Sequence, residues 1–148
     1  MKRLFTCIIL CAFCTICWGQ LNIKSSYDGS KTKSCHLNVN NCLLNYNPEI
    51  GFFITSKTSN QFDKHAIFFV GDDKESALNT INDIIGIFDN EEKDFSVSVE
   101  MGGRDHILTL GKQMGTYCLW IKSDGCAGRW WLIRKNLEKG KKWIENNF

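Results

Sequence analysis

Residues 74–89 read KESALNTINDIIGIFD, and this stretch decides the fold class that we expect for the chain. Its apolar residues recur with the three- and four-residue spacing of one helix face. They are Ala77, Leu78, Ile81, Ile84, Ile85 and Phe88. Asp72 and Glu75 form a capping-box-like pair that predicts where the helix begins. An amphipathic helix of this kind needs a sheet to cover its apolar face.

Stretches with the pattern of β-strands lie on both sides of this helix. The expected strands are residues 50–55, 65–70, 95–100, 106–110, 116–122 and 129–134. The second of these is an almost continuous apolar run, which is typical of a strand buried on both faces. Short turns separate most of the strands, so antiparallel pairing is favoured. We interpret residues 36–46, which are rich in asparagine, as an irregular loop with room for one short strand.

A second helix is expected at residues 137–146, with Asn136 as its N-cap. The chain is therefore predicted to be an α+β domain. We expect a single curved, mainly antiparallel sheet of about five to seven strands, with the amphipathic helix packed on it and a short helix at the C-terminal end. No internal repeat is evident in the sequence.

The first 19 residues have the layout of a cleaved secretory signal peptide. Lys2 and Arg3 form a basic start, residues 4–18 contain no charge, and Gly19 is a small residue suited to the position before the cut. A membrane anchor is the alternative, but a spanning helix needs roughly 18 apolar residues or more, and this run is shorter. We therefore expect export to a periplasm, a cell surface or the medium.

Cleavage would leave residues 20–148 as a single globular domain without a stable membrane span. The full chain has 18 basic and 16 acidic residues. Without Lys2 and Arg3, 16 basic residues remain and balance the 16 acidic ones. The mature charge is therefore near zero, which offers no bulk-charge argument for nucleic acid. We expect no nucleic-acid partner.

Four of the eight cysteines lie in the predicted signal peptide, and the mature chain retains the other four. An even number in an exported domain predicts two disulfides, which can be connected in three ways. Local pairing is preferred, because it joins Cys35 to Cys42 and Cys118 to Cys126 across short loops. The crossed pairings stay open.

Candidate catalytic groups are few. The histidines and cysteines lack the spacing of a zinc motif, so we expect no metal and no cofactor, and we assign no catalytic residue. The best acid–base candidates are Glu100, Asp105 and His106, which surround one turn and would have to converge in a cleft. A small secreted hydrolase with this acidic and histidine cleft is therefore an alternative function.

The aromatic residues near the C-terminal end are the strongest indication of function. Trp120, Trp130 and Trp131 lie in a predicted hairpin next to Arg129. Adjacent residues of a strand face opposite sides, so we expect one of the two adjacent indoles in the core and the other beside Trp120. Tryptophan and arginine together favour a protein–protein or sugar-stacking surface. The alternative is that Trp143 and the closing helix cover this face.

The leading hypothesis is a small exported non-catalytic protein that binds a protein or glycan partner in the envelope or outside the cell. The predicted binding residues are Trp120, Trp130, Arg129 and Asp124. In one form of this hypothesis the protein inhibits a hydrolase, with Asp124 and Gly125 at the tip of a disulfide-pinned loop. A further alternative is a structural subunit that self-assembles through an exposed sheet edge.

Overall fold

The computed structural model describes residues 29–38, 41–63, 65–89 and 95–148. The predicted signal peptide lies outside the described residues. The described elements run through the same order twice, four strands and then a helix. After a short 3-10 helix at Gly29–Lys31, they are β1 Lys33–His36, β2 Leu43–Asn47, β3 Gly51–Ser56, β4 Ala66–Gly71, α1 Lys74–Ile87, β5 Ser96–Met101, β6 Arg104–Gln113, β7 Thr116–Ser123, β8 Trp130–Leu132 and α2 Arg134–Asn147.

The strands form two antiparallel sheets of four strands each, in the orders β1-β2-β3-β4 and β5-β6-β7-β8. The predicted α+β class is confirmed, but the single sheet of five to seven strands is wrong. The chain leaves the first sheet through α1 and pairs its next strand with β6. Every strand pair among the described residues joins consecutive strands, so the number of sheets depends on whether β4 and β5 pair across α1, which strand periodicity does not report.

Most of strand β2 lies in the asparagine-rich region of residues 36–46, for which we expected an irregular loop with room for one short strand, and β1 ends at the first residue of that region. Asn45 and Asn47 are buried in β2. The Asn45 amide donates to the Thr55 hydroxyl at 3.0 Å, and its oxygen accepts from the Ser34 hydroxyl at 2.7 Å. Because both groups of the side chain are paired, the cost of burying the amide is offset.

Helix α1 spans most of the predicted stretch, but its capping box lies one residue later than expected. The Asp73 carboxylate accepts from the Ser76 N–H at 2.8 Å, and the Ser76 hydroxyl accepts from the Asp73 N–H at 3.2 Å. The buried residues of the helix are Ala77, Ile81 and Ile84. This face packs against β4 and contacts α2.

Helix α2 begins three residues before the predicted start, so Asn136 lies inside its first turn. The Asn136 oxygen accepts from the Ile133 N–H at 3.1 Å, and its amide donates to the buried Leu37 carbonyl at 2.8 Å. Gly140 lies so close to Leu37 and Leu44 that an added Cβ would be 3.2 and 3.1 Å from their methyl groups. The second helix therefore packs on the first sheet.

The core is shared by both sheets and both helices. The Phe68 ring of β4 lies 4.8 Å from the His106 ring and 6.2 Å from the Trp130 ring, measured between centroids. The expectation that β4 is buried on both faces is wrong, because Ile67 on its other face is 42% exposed. No helix among the described residues has the length and apolar character needed to cross a membrane.

Candidate functional site

A groove of about 380 Å³ opens on the surface where the second sheet meets the segment that follows β3. We call it the tryptophan groove. Its lining residues are Asn41, Ser56, Lys57, Thr58, Ser59, Trp120, Arg129, Trp130 and Trp131. Three parts of the chain that are distant in sequence therefore meet at one site.

Two half-buried indoles form the aromatic part of the groove. Leu119 and Ile121 point from β7 into the core, so Trp120 between them points to the opposite face of the sheet. Trp131 is its direct partner on β8. The ring centroids are 6.5 Å apart and the ring planes are inclined by 55°. This separation is within the range in which aromatic pairs attract each other.

Trp130 was predicted to bind a partner, and the structure corrects that role. The side chain is 2% exposed, although the residue borders the groove. Its Nε1–H donates to the buried Ser123 hydroxyl at 3.3 Å. Trp130 is therefore a core residue, and Trp131 takes its place beside Trp120. The alternating pattern contains a signal for this, since Leu132 shares a side of the strand with Trp130.

The wall of the groove opposite the indoles is held in place by the Asp63 carboxylate, which connects the loop after β3 to the loop before β8. Asp63 accepts hydrogen bonds from the Thr58 hydroxyl at 2.6 Å, the Asn60 amide at 3.2 Å, the Ala127 N–H at 3.2 Å and the Gly128 N–H at 2.8 Å. We call these five residues the Asp63 clasp. The Thr58 hydroxyl and the Gly128 N–H lower the pKa of Asp63, so the carboxylate is charged near neutral pH.

The backbone next to the clasp fixes the position of Arg129. The Ser59 N–H donates to the Arg129 carbonyl at 2.7 Å, and the Arg129 N–H donates to the Ser59 hydroxyl at 3.1 Å. A Cβ added at Gly128 would lie 2.5 Å from the Asn60 nitrogen, so this close approach requires glycine. The exposed Arg129 side chain thereby lies at the edge of the tryptophan groove.

Asp124 does not join this groove. It is exposed, and its carboxylate accepts from the Gly125 N–H at 2.9 Å. Its own N–H donates to the Asp105 carbonyl at 2.9 Å. The recess that it lines also contains Lys122 and Cys126. The structure thus brings together Trp120 and Arg129 from the predicted set, and it leaves Asp124 at a separate position.

The predicted disulfide between Cys118 and Cys126 is not formed, and both thiols are free. Cys118 pairs with Gly111, five residues before the end of β7, whereas Cys126 follows that end. Five residues of strand span about 16 Å, far more than a disulfide can bridge. The loop after β7 is held by the Asp63 clasp and not by sulfur.

Cys35 and Cys42 are also free thiols. Cys35 faces Leu44 across the hairpin, which puts Cys42 at the diagonal position. Diagonal partners are about 7–8 Å apart, beyond the usual Cα separation in disulfides. Burial raises the pKa of Cys42 to about 12 and also raises that of Cys35. Neither thiol is therefore activated as a nucleophile at neutral pH.

Glu100, Asp105 and His106 do not converge. The two carboxylates are exposed cross-strand partners on β5 and β6, while His106 points to the opposite, buried face. His106 Nδ1 lies 3.1 Å from the Ser123 hydroxyl, and its Nε2 has no hydrogen-bond partner in the described part of the chain. Burial lowers the pKa of His106, and the Met101 carbonyl offsets only part of that effect. The arrangement lacks the shared cleft that acid–base catalysis by these three groups needs.

The closing helix covers a different face from the one that we considered. Trp143 makes an edge-to-face contact with Phe148, with ring centroids 5.4 Å apart, and Phe148 packs on Tyr46 and Phe52 of the first sheet. Trp120 and Trp131 therefore remain partly open. Within the described ranges, no group of three or more metal-ligating side chains is arranged to hold a metal ion.

Comparisons of this chain with protein-family models, with curated proteins and with solved structures found no match.

Proposed function

We propose that this protein is a small exported non-catalytic binding protein, and that the tryptophan groove receives part of a protein or glycan partner. One observation carries the proposal. Trp120 and Trp131 form a half-exposed pair inside a groove whose other walls are polar. Indoles offer a large rigid apolar surface, and tryptophan and arginine are the residues most enriched at binding hot spots.

The proposal is also supported by the preorganisation of the groove, which hydrogen bonds between its loops hold in shape. The Asp63 clasp joins the loop after β3 to the loop before β8. The two hydrogen bonds between Ser59 and Arg129 join the same loops. A preorganised site binds more tightly, because less conformational entropy is lost on association.

The chemistry of the lining favours binding over catalysis. Its described side chains are hydroxyls, one amide, two cations and three indoles, with no carboxylate, histidine or thiol among them. General acid–base catalysis relies most often on histidine, and neither a histidine nor a carboxylate is among the described side chains that line this groove. We therefore propose no hydrolase activity at this groove.

The test is a pull-down from envelope and medium fractions with the exported form of the protein as bait. The comparison bait is Trp120→Ala/Trp131→Ala, checked for folding by circular dichroism. A Tyr117→Ala bait is the matched control, because Tyr117 is an exposed aromatic residue on β7 outside the groove.

We expect a partner that the native protein and the Tyr117→Ala control retain and the double variant loses. A partner retained by all three baits would contradict the assignment of the groove. Export is tested on the same material, since the recovered protein should begin at Gln20; a protein that retains Met1 would contradict cleavage.

A further inference from the structure

We infer that the group received in the tryptophan groove is a carboxylated saccharide. The inference rests on the proposed function and deepens it by choosing one chemical class of partner. It is carried by the charges, the indoles and the hydrogen-bonding groups that the groove brings together.

The groove has a positive charge that nothing in its lining balances. Lys57 and Arg129 are exposed at its edge, and neither makes an ion pair with any residue that the structure describes. The nearby carboxylate of Asp63 accepts four hydrogen bonds within the clasp. The two cations therefore outnumber the one nearby carboxylate, and this net positive charge favours an anionic ligand. The planar guanidinium of arginine suits a carboxylate, which it can bind with two parallel hydrogen bonds.

The indoles favour a ring with apolar faces. Trp120 and Trp131 are inclined to each other by 55°, so the pair presents two surfaces at an angle instead of one flat platform. A pyranose ring has C–H groups on its faces and hydroxyls at its rim. It could lie against an indole while its hydroxyls reach the polar wall.

The polar wall has groups that match those hydroxyls. The Ser59 oxygen already accepts the Arg129 N–H, which leaves the Ser59 hydroxyl proton available to donate. The backbone of Asn41 has a positive φ, and its side-chain amide can both donate and accept hydrogen bonds. The volume of about 380 Å³ is at the lower end for ligand pockets, which suits one or two sugar units of a longer chain.

The experiment compares acidic oligosaccharides with neutral copies of the same chains. The probes are tetragalacturonate and a glucuronate-containing hyaluronan tetrasaccharide, each also prepared with its carboxyl groups as methyl esters. Binding to the exported form of the protein is followed by tryptophan fluorescence and by the NMR shifts of the indole N–H groups.

We expect at least one acidic probe to bind and to shift the indole signals of Trp120 and Trp131. Its ester should bind about tenfold more weakly, because the ester cannot form the charged hydrogen bonds that a carboxylate forms with Arg129, and a tenfold change corresponds to about 1.4 kcal/mol. The Arg129→Gln variant should weaken the acid by about the same factor and leave the ester unchanged. Trp131→Ala should weaken both, and Trp131→Phe, which preserves an aromatic ring, should recover part of the loss.

Four results would overturn the inference. Equal affinity for acid and ester would mean that the carboxylate is not recognised, and binding that Trp131→Ala does not change would mean nonspecific charge attraction. Absence of binding to both acids, together with a pull-down partner that the double tryptophan variant loses, would assign the groove to another ligand and leave the proposed function standing. Absence of binding together with absence of any partner would contradict both.

Discussion

The two halves of the molecule share one plan and use it differently. Each has four antiparallel strands followed by a helix of 14 residues. Helix α1 packs on β4 of its own half, whereas α2 crosses to the first half and places Gly140 against Leu44. The outer face of β7 and β8, where Trp120 and Trp131 lie, is left partly open. The comparison indicates that helix placement, and not strand order, determines which surface is available for binding.

The halves also differ in how they treat polar groups in the interior. The first half buries Asn45, whose side-chain oxygen and NH₂ group both have hydrogen-bond partners. The second half buries His106, Ser123 and the indole N–H of Trp130 in one cluster, and the Nε2 of His106 has no hydrogen-bond partner among the described residues. Because acid would place a charge on this buried ring, the second half should be more sensitive to acid.

The largest effect is expected from two adjacent tryptophans with opposite roles. Trp130→Ala removes a side chain that is 2% exposed and packs on Phe68, so it should lower the free energy of unfolding by about 3–5 kcal/mol. Trp131→Ala removes a half-buried ring that pairs with Trp120, and the loss of that pair should cost only about 0.5–1.5 kcal/mol. Urea denaturation of the two variants measures both values.

Trp130→Phe is the control for this pair. It preserves an aromatic ring near Phe68 but removes the N–H that donates to Ser123, so its loss should lie between the other two. If Trp131→Ala proved as destabilising as Trp130→Ala, the distinction between a core indole and a groove indole would be wrong.

The next effect tests how α2 is fixed to the first half. Asn136→Ala removes the donor to the buried Leu37 carbonyl and the acceptor of the Ile133 N–H. An unsatisfied buried carbonyl costs about 1–3 kcal/mol, and we expect a destabilisation of that size in urea denaturation. Glu138→Ala is the matched control on an exposed position of the same helix and should stay within about 0.5 kcal/mol. Equal effects would contradict a specific connection between Asn136 and Leu37.

Much of the fold could be predicted from local pattern, and the exceptions have physical causes. The apolar spacing of residues 74–89 predicts α1, and alternation predicts most of β3 to β8. The β1–β2 hairpin could not be predicted, because Asn45 is buried by virtue of partners on neighbouring strands. Strand pairing across the whole chain decides that there are two sheets, and a periodicity contains no information on pairing.

The candidate site could be predicted only in part. Trp120 and Arg129 could be identified as candidate binding residues from the sequence. Strand alternation also requires that Trp130 and Trp131 face opposite sides. Leu132 shares a side of the strand with Trp130, which indicates that Trp130 is the buried one. The Asp63 clasp joins residues 65 positions apart, and its partners include backbone N–H groups that have no sequence signature. We expected a disulfide between Cys118 and Cys126 to hold the loop after β7, but hydrogen bonds to the Asp63 carboxylate hold it instead.

A smaller, pH-dependent effect should separate the two halves. Burial holds the pKa of His106 below its ordinary value of about 6.5, so the unfolded chain binds the proton more readily. This residue therefore lowers stability as pH falls from about 6.5 towards its folded pKa, and its contribution is constant above that range. Arg104 opposes protonation of the ring, while Asp105 and Asp124 favour it.

Urea midpoints measured between pH 7.5 and pH 5 check this expectation for His106. The loss of stability on acidification should be smaller in a His106→Gln variant, which cannot be protonated. His65→Gln is the control, since His65 is exposed. An identical pH dependence in the native protein and His106→Gln would contradict the role of the buried imidazole.

The smallest effect on stability, and the one most specific to the groove, is expected from Asp63→Asn. The amide offers one acceptor oxygen where the carboxylate offers two, so the donors on Thr58, Ala127 and Gly128 cannot all stay paired. Asp63 is at the surface, and its loss should loosen the two loops without unfolding the sheets. Hydrogen exchange at the Ala127 and Gly128 amides should become several-fold faster, whereas exchange in β7 stays unchanged.

Acid should reproduce this loosening in the native protein. The folded pKa of Asp63 lies below its ordinary value of 3.8, so the clasp is complete above that pH and is lost as pH falls through the folded pKa. Asp124→Asn is the matched control, because it changes an exposed carboxylate outside the clasp and should leave Ala127 and Gly128 protected. Equal hydrogen exchange at the Ala127 and Gly128 amides in the two variants would mean that the strands alone shape the groove. The two halves would then differ only in where α2 packs.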